Sequence, residues 1–336
     1  MKRILIFEVN WLGDILFTTP AIRAIRQKFK DAHIAVVVVP RCYDMLSDNP
    51  NIDELIVFDE EKEHKGFFGK LKFISQLKSG KYDTFITFHR SMTRVLLAFL
   101  AGIKRRVGYY TSKRAWLLTD ALPQPEKEPH RVDYFLGITK HLGCSVEDRN
   151  YEFVVNQDSV DKSNNLLRSL GISNQEDFIV INPGGNWLPK RWAKGKYADL
   201  CKRLNEKYNK KIVVTGADKD EILADDIIRL SEVNAINLCG KTDIKELAAV
   251  MRRAEIVIAN DSGPMHIAVS QKTPTVALFG PTSADITGPT GDSKYTVISK
   301  WYECNIPCYN HECKDYRCMD AISVDDVLVA VDNLLS

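Results

Sequence analysis

The stretch that most limits the fold is residues 254–280, AEIVIANDSGPMHIAVSQKTPTVALFG. Residues 256–259 and 275–279 are short, β-branched and apolar throughout, as strands covered on both faces must be. Such strands belong to a parallel sheet, and parallel neighbours need a crossover, here a short helix predicted from about Pro264. Asn260, Asp261, Ser262 and Gly263 therefore fall between the carboxyl end of a strand and the start of a helix. Free backbone N–H groups and the helix dipole favour a phosphate there. Gly263 permits close approach, and Pro264 suits a first helical turn. The same residues also read as an ordinary helix start, with Asp261 or Ser262 capping and His266 a partly buried side chain.

Two other segments repeat the arrangement. Residues 4–9 read as a strand running into NWLGD, and residues 178–181 as a strand running into NPGGNWLPKRW. Each ends in a glycine-containing turn with charge: Asp14 in the first, Lys190 and Arg191 in the second. In the first half, strands at 4–9, 34–39, 55–58, 84–88 and 106–109 alternate with helices at 15–30, 67–79 and 91–101, which predicts a doubly wound parallel sheet. Pro20 is expected to kink the first helix or mark its effective start. No GxGxxG follows the first strand, which argues against dinucleotide binding. A helix at 132–142 and an extended piece at 151–155 follow. The second half then alternates again, from a helix at 161–170 through strands at 178–181, 211–215, 236–238, 256–259 and 275–279 to a last helix at 324–335. The Asn-, Asp- and Ser-rich cluster near 156 marks the domain boundary.

With WLGD (11–14), PGG and KRW (183–185, 190–192), TGADKDE (215–221), LCGKTDIKELAAVM (238–251) and NDSGPMHIA (260–268) in order, the chain resembles the ADP-heptose:lipopolysaccharide heptosyltransferases. The cysteine-rich tail at 304–318 resembles that family's as well. The resemblance implies an inverting glycosyltransferase of α/β GT-B architecture, with two tandem Rossmann-like domains facing a central cleft. The expected division is an acceptor-binding domain at 1–155, a nucleotide-sugar-binding domain at 156–322, and a helix at 323–336 returning toward the first domain.

Asp14 reads either as a cap for the next helix or as a general base that takes a proton from an attacking sugar hydroxyl, and the resemblance favours the base. Lys190 reads either as an exposed lysine or as the cation that offsets charge on a departing diphosphate, aided by the helix start at Ser262. Glu221 is a candidate partner for ribose or adenine, or simply a first-turn carboxylate. The resemblance adds Gly13, Gly184, Gly185, Thr242, Asp261, Ser262, Gly263 and His266 to the donor side.

Net charge is only +2, yet residues 1–150 carry 24 Lys and Arg against 18 Asp and Glu, or +6, leaving −4 for the rest. That is too little basic density for a dedicated nucleic-acid binder. Basic and aromatic side chains crowd residues 89–131, either as a solvated surface or as a site for acceptor carboxylates and phosphates. His89, Arg90 and Arg94 follow a strand end and are the acceptor candidates. No apolar run spans a bilayer, so the expectation is a cytoplasmic protein with at most peripheral contact with the inner membrane. Cys304, Cys308, Cys313 and Cys318, with His311 among them, match no standard zinc or iron–sulfur spacing but remain a possible structural site. No cofactor or metal is expected. The functional expectation is transfer of heptose from ADP-heptose to lipopolysaccharide inner core, with Trp11 before LGD pointing by resemblance to the second heptose. The alternatives are another sugar or a later heptose position, and a nucleotide-sugar-binding protein without turnover.

Overall fold

The computed structural model describes residues 1–300, 304–308, 310 and 312–336. The chain divides into two compact units, Met1–Val154 and Val155–Ser336. The first contains β1 (Arg3–Phe7), α1 (Leu12–Lys28), β2 (His33–Val38), the single turn α2 (Tyr43–Leu46), β3 (Glu54–Val57), α3 (Gly66–Ser79), β4 (Thr84–Thr87), α4 (Met92–Leu100), β5 (Arg105–Tyr109), β6 (Asp120–Leu122) and α5 (Arg131–His141). Its strands form one parallel sheet in the order β3-β2-β1-β4-β5-β6, with Phe7 opposite Val37 on one side and Thr87 on the other.

The second unit contains α6 (Gln157–Ser169), β7 (Phe178–Asn182), α7 (Lys194–Tyr208), β8 (Lys211–Val214), α8 (Glu221–Ser231), β9 (Ile236–Asn237), α9 (Ile244–Arg253), β10 (Ile256–Asn260), α10 (Gly263–Ser270), β11 (Thr275–Phe279), the short α11 (Ala284–Thr287), β12 (Tyr295–Ser299), the short α12 (Arg317–Asp320) and α13 (Val324–Leu335). Its parallel order, β12-β11-β10-β7-β8-β9, is the first sheet's order read in reverse from its own first strand. Strand order turns back between β1 and β4 in one unit and between β7 and β10 in the other. In open parallel sheets the crevice outside the carboxyl ends at that point is where ligands bind.

Apart from Arg3, the central strands are buried because helices cover both sheet faces, which is why their sequences are apolar runs with polar residues only at their ends. Each such Ile, Val or Phe contributes roughly 1.5–3 kcal/mol relative to exposure. Around Phe7 the rings of Phe58, Phe73 and Phe85 pack edge-on with centroids 5.7, 6.1 and 5.9 Å away.

Helix α1 runs through Pro20 rather than starting at it. Proline cannot donate to the carbonyl of Leu16, and the Thr19 hydroxyl donates to it instead at 2.8 Å. The extended piece expected at 151–155 joins no sheet. It lies along α1, where Glu152 N–H donates to Thr19 Oγ1 at 3.0 Å and its carboxylate meets Arg23 at 3.3 Å. Strands β6 and β12 were not expected from the sequence, being a three-residue piece and a half-buried edge. The final helix belongs to the second unit: Ser323 and Asp326 form its capping box, and Val324, Val327 and Val331 enter the core with α7.

Candidate active site

In the first unit the chain leaves β1 at Phe7, crosses the sheet edge through 8–11 and enters α1. Trp11 occupies the cap position without a side-chain cap bond, and Asp14 lies in the first helical turn, half-buried. Asp14 is thus not the capping residue. The turn carrying it is held from two sides. Arg94 of α4 donates from Nη1 to Glu8 O and from Nη2 to Asn10 Oδ1, both at 2.6 Å, with its guanidinium 5.3 Å above the Phe7 ring. Arg41 donates to Asn10 O at 2.9 Å and stacks 4.6 Å above the Trp11 ring.

These bonds correct the reading of Arg94 as an exposed acceptor contact: it is only 2% exposed and holds the Asp14 turn in place. Arg114, counted in the basic surface, is 1% exposed and donates to the carbonyls of His89 and Tyr109. His89 is also not a cation at neutral pH. Burial, and then the charges of Arg94 and Arg114, pull its pKa down to about 4, while its Nδ1 accepts from Ser91 N–H at 2.9 Å. Of the three acceptor candidates only Arg90 presents its charge to solvent, with its guanidinium 5.3 Å over the Tyr134 ring.

Glu8 was not singled out from the sequence and is 1% exposed. Its Oε2 accepts from Val9 N–H at 3.1 Å, while Oε1 has no hydrogen-bond partner among the described residues. Burial pushes its pKa up to about 8, against the Val9 and Thr18 bonds and the charge of Arg94, with Asp14 adding to the rise. Arg94 in turn has the Glu60 carboxylate 3.8 Å away. Because the folded pKa of Glu8 lies above the unfolded value, its contribution to stability is complete below about pH 4.5 and is lost as pH rises through about 8. Glu8→Gln is therefore expected to melt higher than the parent at pH 8, by ~2 kcal/mol or more, with the two curves converging near pH 4.5. Thermal melts across that range test this, and parallel curves for the two proteins would show that Glu8 is not held neutral.

In the second unit the loops after β7 and β10 meet. Asn260, fully buried at the end of β10, donates to the carbonyls of Pro183 (2.8 Å) and Gly184 (3.3 Å). Its Oδ1 accepts from Trp192 N–H at 3.2 Å and the Tyr197 hydroxyl at 2.8 Å. One amide thus ties PGG and KRW to the strand that ends in DSG. Lys190 Nζ donates to Asp261 Oδ2 at 2.6 Å, and the Thr282 hydroxyl donates to the same oxygen at 2.6 Å. Ser262 stands at the cap of α10 with no side-chain cap bond, and its Oγ has no protein partner among the described residues. Gly263 opens that helix, and His266 lies buried one turn on.

Asp220, rather than Glu221, is the buried carboxylate of TGADKDE. It accepts from Arg191 Nη2 at 3.0 Å and Ala217 N–H at 3.2 Å, while Arg191 also donates to Gly185 O. A Cβ on Gly184 would lie 2.6 Å from Asp220 Oδ2, so this glycine is required by close approach. Glu221 is exposed at the start of α8, and Thr242 is half-buried just before the Asp243 cap of α9. Sequence reading missed the roles of Asn260, Asp220 and Thr282, although the strand-end position of Asn260 was an available signal.

Cys304 is exposed, and Cys308, Cys313 and Cys318 are half-buried thiols. Cys308 N–H donates to Pro281 O at 2.7 Å. His311 lies outside the described residues. Among the described residues no group of three or more His, Cys, Asp or Glu is placed to hold a metal ion.

A profile described as Glycosyltransferase family 9 (heptosyltransferase) matches residues 70–317. The chain belongs to that family. This family 9 glycosyltransferase is 26% identical over 339 residues to lipopolysaccharide heptosyltransferase 3 of Escherichia coli K12, covering 97% of this chain and 96% of that one. It is 28% identical over 298 residues to lipopolysaccharide heptosyltransferase 2 of Salmonella typhimurium LT2, covering 85% of each. The crystal structure of a glycosyl transferase family 9 protein from Veillonella parvula superposes with a TM-score of 0.92 at 26% identity, covering 99% of this chain and 97% of that one. The two tandem Rossmann-like units are thus those of the GT-B family 9 enzymes. Among the described residues no helix is long and apolar enough to cross a membrane.

Proposed function

We propose that this glycosyltransferase moves heptose, with inversion, from ADP-heptose onto the lipopolysaccharide inner core, adding the second heptose. The observation that carries the reading is the Lys190–Asp261–Thr282 arrangement beside the amino end of α10, in a chain of this family. A fixed cation and free helix N–H groups are what a departing diphosphate needs. The acceptor hydroxyl oxygen attacks the anomeric carbon and loses its proton to the Asp14 carboxylate. The bond from that carbon to the diphosphate oxygen breaks, and the charge left on ADP is met by Lys190 and the start of α10. The first unit takes the acceptor, with Arg90 as its exposed cation, and the second takes the donor, with Gly184, Gly185, Glu221, Thr242, Ser262, Gly263 and His266 as its candidate contacts; Gly13, in the first unit, is a further donor candidate. Work at the inner face of the cytoplasmic membrane follows from such an acceptor.

Near-equal similarity to relatives named heptosyltransferase 2 and 3 favours one second reading, a later heptose of the core. A panel of nucleotide sugars against truncated core acceptors, read by product mass, separates the cases. ADP-heptose with a mono-heptosylated acceptor is expected to give one added heptose, and activity is expected to survive EDTA because Lys190 supplies the compensating charge. Donor binding without turnover would overturn the enzymatic reading, and use of a different sugar would overturn the donor assignment.

A further inference from the structure

Helix α3 turns two different faces outward and inward. Phe73 and Leu77 are fully buried and Ile74 packs against the same core, while Phe67, Phe68 and Leu71 are 72%, 84% and 44% exposed. At 100° per residue these three fall together on the outer face of the first two turns. They are not on a loose end. His64, just before the helix, is buried against the rings of Phe58 and Phe73 at 5.4 and 4.8 Å, and Gly69 lies so close to the backbone of 63–64 that a Cβ would meet it at 2.7 Å. Residues 64–81, HKGFFGKLKFISQLKSGK, contain five lysines and no acidic residue, the four acidic residues of DEEKE (59–63) standing on the segment before the helix.

We propose that the first half of α3 docks this enzyme on an anionic lipid bilayer, with Phe67, Phe68 and Leu71 immersed and Lys65, Lys70 and Lys72 in the headgroup layer. Aromatic and aliphatic side chains on one face with lysines at its margins are the composition of helices that lie in the membrane interface. A 14-residue helix is far too short to span a bilayer but suited to lie in its plane. The exposed Lys72–Glu63 pair, 2.7 Å apart, is weakly held in water and can be exchanged for a lipid phosphate. Pairing with a second copy is disfavoured, because a two-fold contact would set the lysine cluster against itself. Helix α3 starts at the carboxyl edge of its parallel sheet, the edge that also carries the Asp14 turn, so docking there brings the base to the lipid surface. The inference deepens the reading above, whose acceptor is lipid-anchored, but its test does not depend on that acceptor.

The test is flotation of the full chain with phosphatidylglycerol-containing vesicles and with phosphatidylcholine alone. The parent is expected to float with the anionic vesicles and to be released by salt. Phe67→Ser with Phe68→Ser is expected to lower partition about tenfold or more. Lys70→Glu with Lys72→Glu is expected to abolish the preference for anionic lipid, and both variants are expected to keep the parent's Tm and its transfer to a soluble, delipidated core acceptor. A parent that does not float, an aromatic double variant that floats as well as the parent, or a parent dimer that this variant splits would each overturn the inference. Failure of the heptose reading shows differently, as no transfer to the soluble acceptor by a parent that still floats.

Discussion

Asp14→Asn is expected to lower kcat by about 10²-fold or more while changing ADP affinity little. The substitution keeps the shape of the side chain and removes its basicity. The turn has supports besides that side chain: Arg94 holds Glu8 O and Asn10 Oδ1, Arg41 holds Asn10 O, and the helix cap at Trp11 uses no side chain. A thermal melt of the variant beside the parent separates a loss of turnover through chemistry from one through folding. Isothermal titration of ADP beside single-turnover kinetics makes the comparison. Near-normal turnover in a folded Asp14→Asn protein would remove Asp14 from the mechanism.

The second large effect is expected at Lys190. Lys190→Ala should weaken ADP binding and slow transfer by a combined ~2 to 4 kcal/mol, the scale of one lost electrostatic donor in a catalytic site. The structure adds a complication that a control can resolve. Lys190 pairs with Asp261, which is 6% exposed, so its removal also strands a buried carboxylate that, among the described residues, keeps the Thr282 hydroxyl bond. Lys190→Ala with Asp261→Asn removes that stranded charge. If the double variant regains stability but not turnover, the lysine acts on the leaving group. If turnover returns with stability, Lys190 serves only to hold Asp261, and the proposed role is wrong.

Much of the architecture was legible from strand sequences alone. A strand buried on both faces, such as β7 or β10, is apolar up to its last residue, so FIVI or IVIA announces itself without help from neighbours. The short edges β6 and β12 did not, because three residues carry no period and a half-buried strand mixes polar with apolar side chains. Helix starts were misplaced by a few residues wherever the cap lay upstream of the apolar pattern, as at Asn156, which caps α6 by accepting from Ser159 N–H. At the site, the positions of Asp14, Lys190 and Asp261 were readable because a glycine turn after a buried strand marks the functional edge of such a sheet.

What the sequence by itself determined is the alternation that makes two parallel sheets, and with it the segments after β1, β7 and β10 that carry Asp14, Lys190 and Asp261, since both follow from local patterns of apolar and glycine residues. What only the tertiary structure decided is which charges face water. Arg90, Arg94 and Arg114 are equivalent in a list of basic residues, yet Arg90 is exposed while the other two are sealed inside. Arg94 bonds Glu8 O and Asn10 Oδ1, more than eighty positions away, and burial holds Glu8 neutral against the charge of Arg94. Burial is set by elements that meet from distant parts of the chain, and a pKa or an ion pair is set by burial. A basic stretch therefore reads as a surface until the fold shows which of its members hold the Asp14 turn in place.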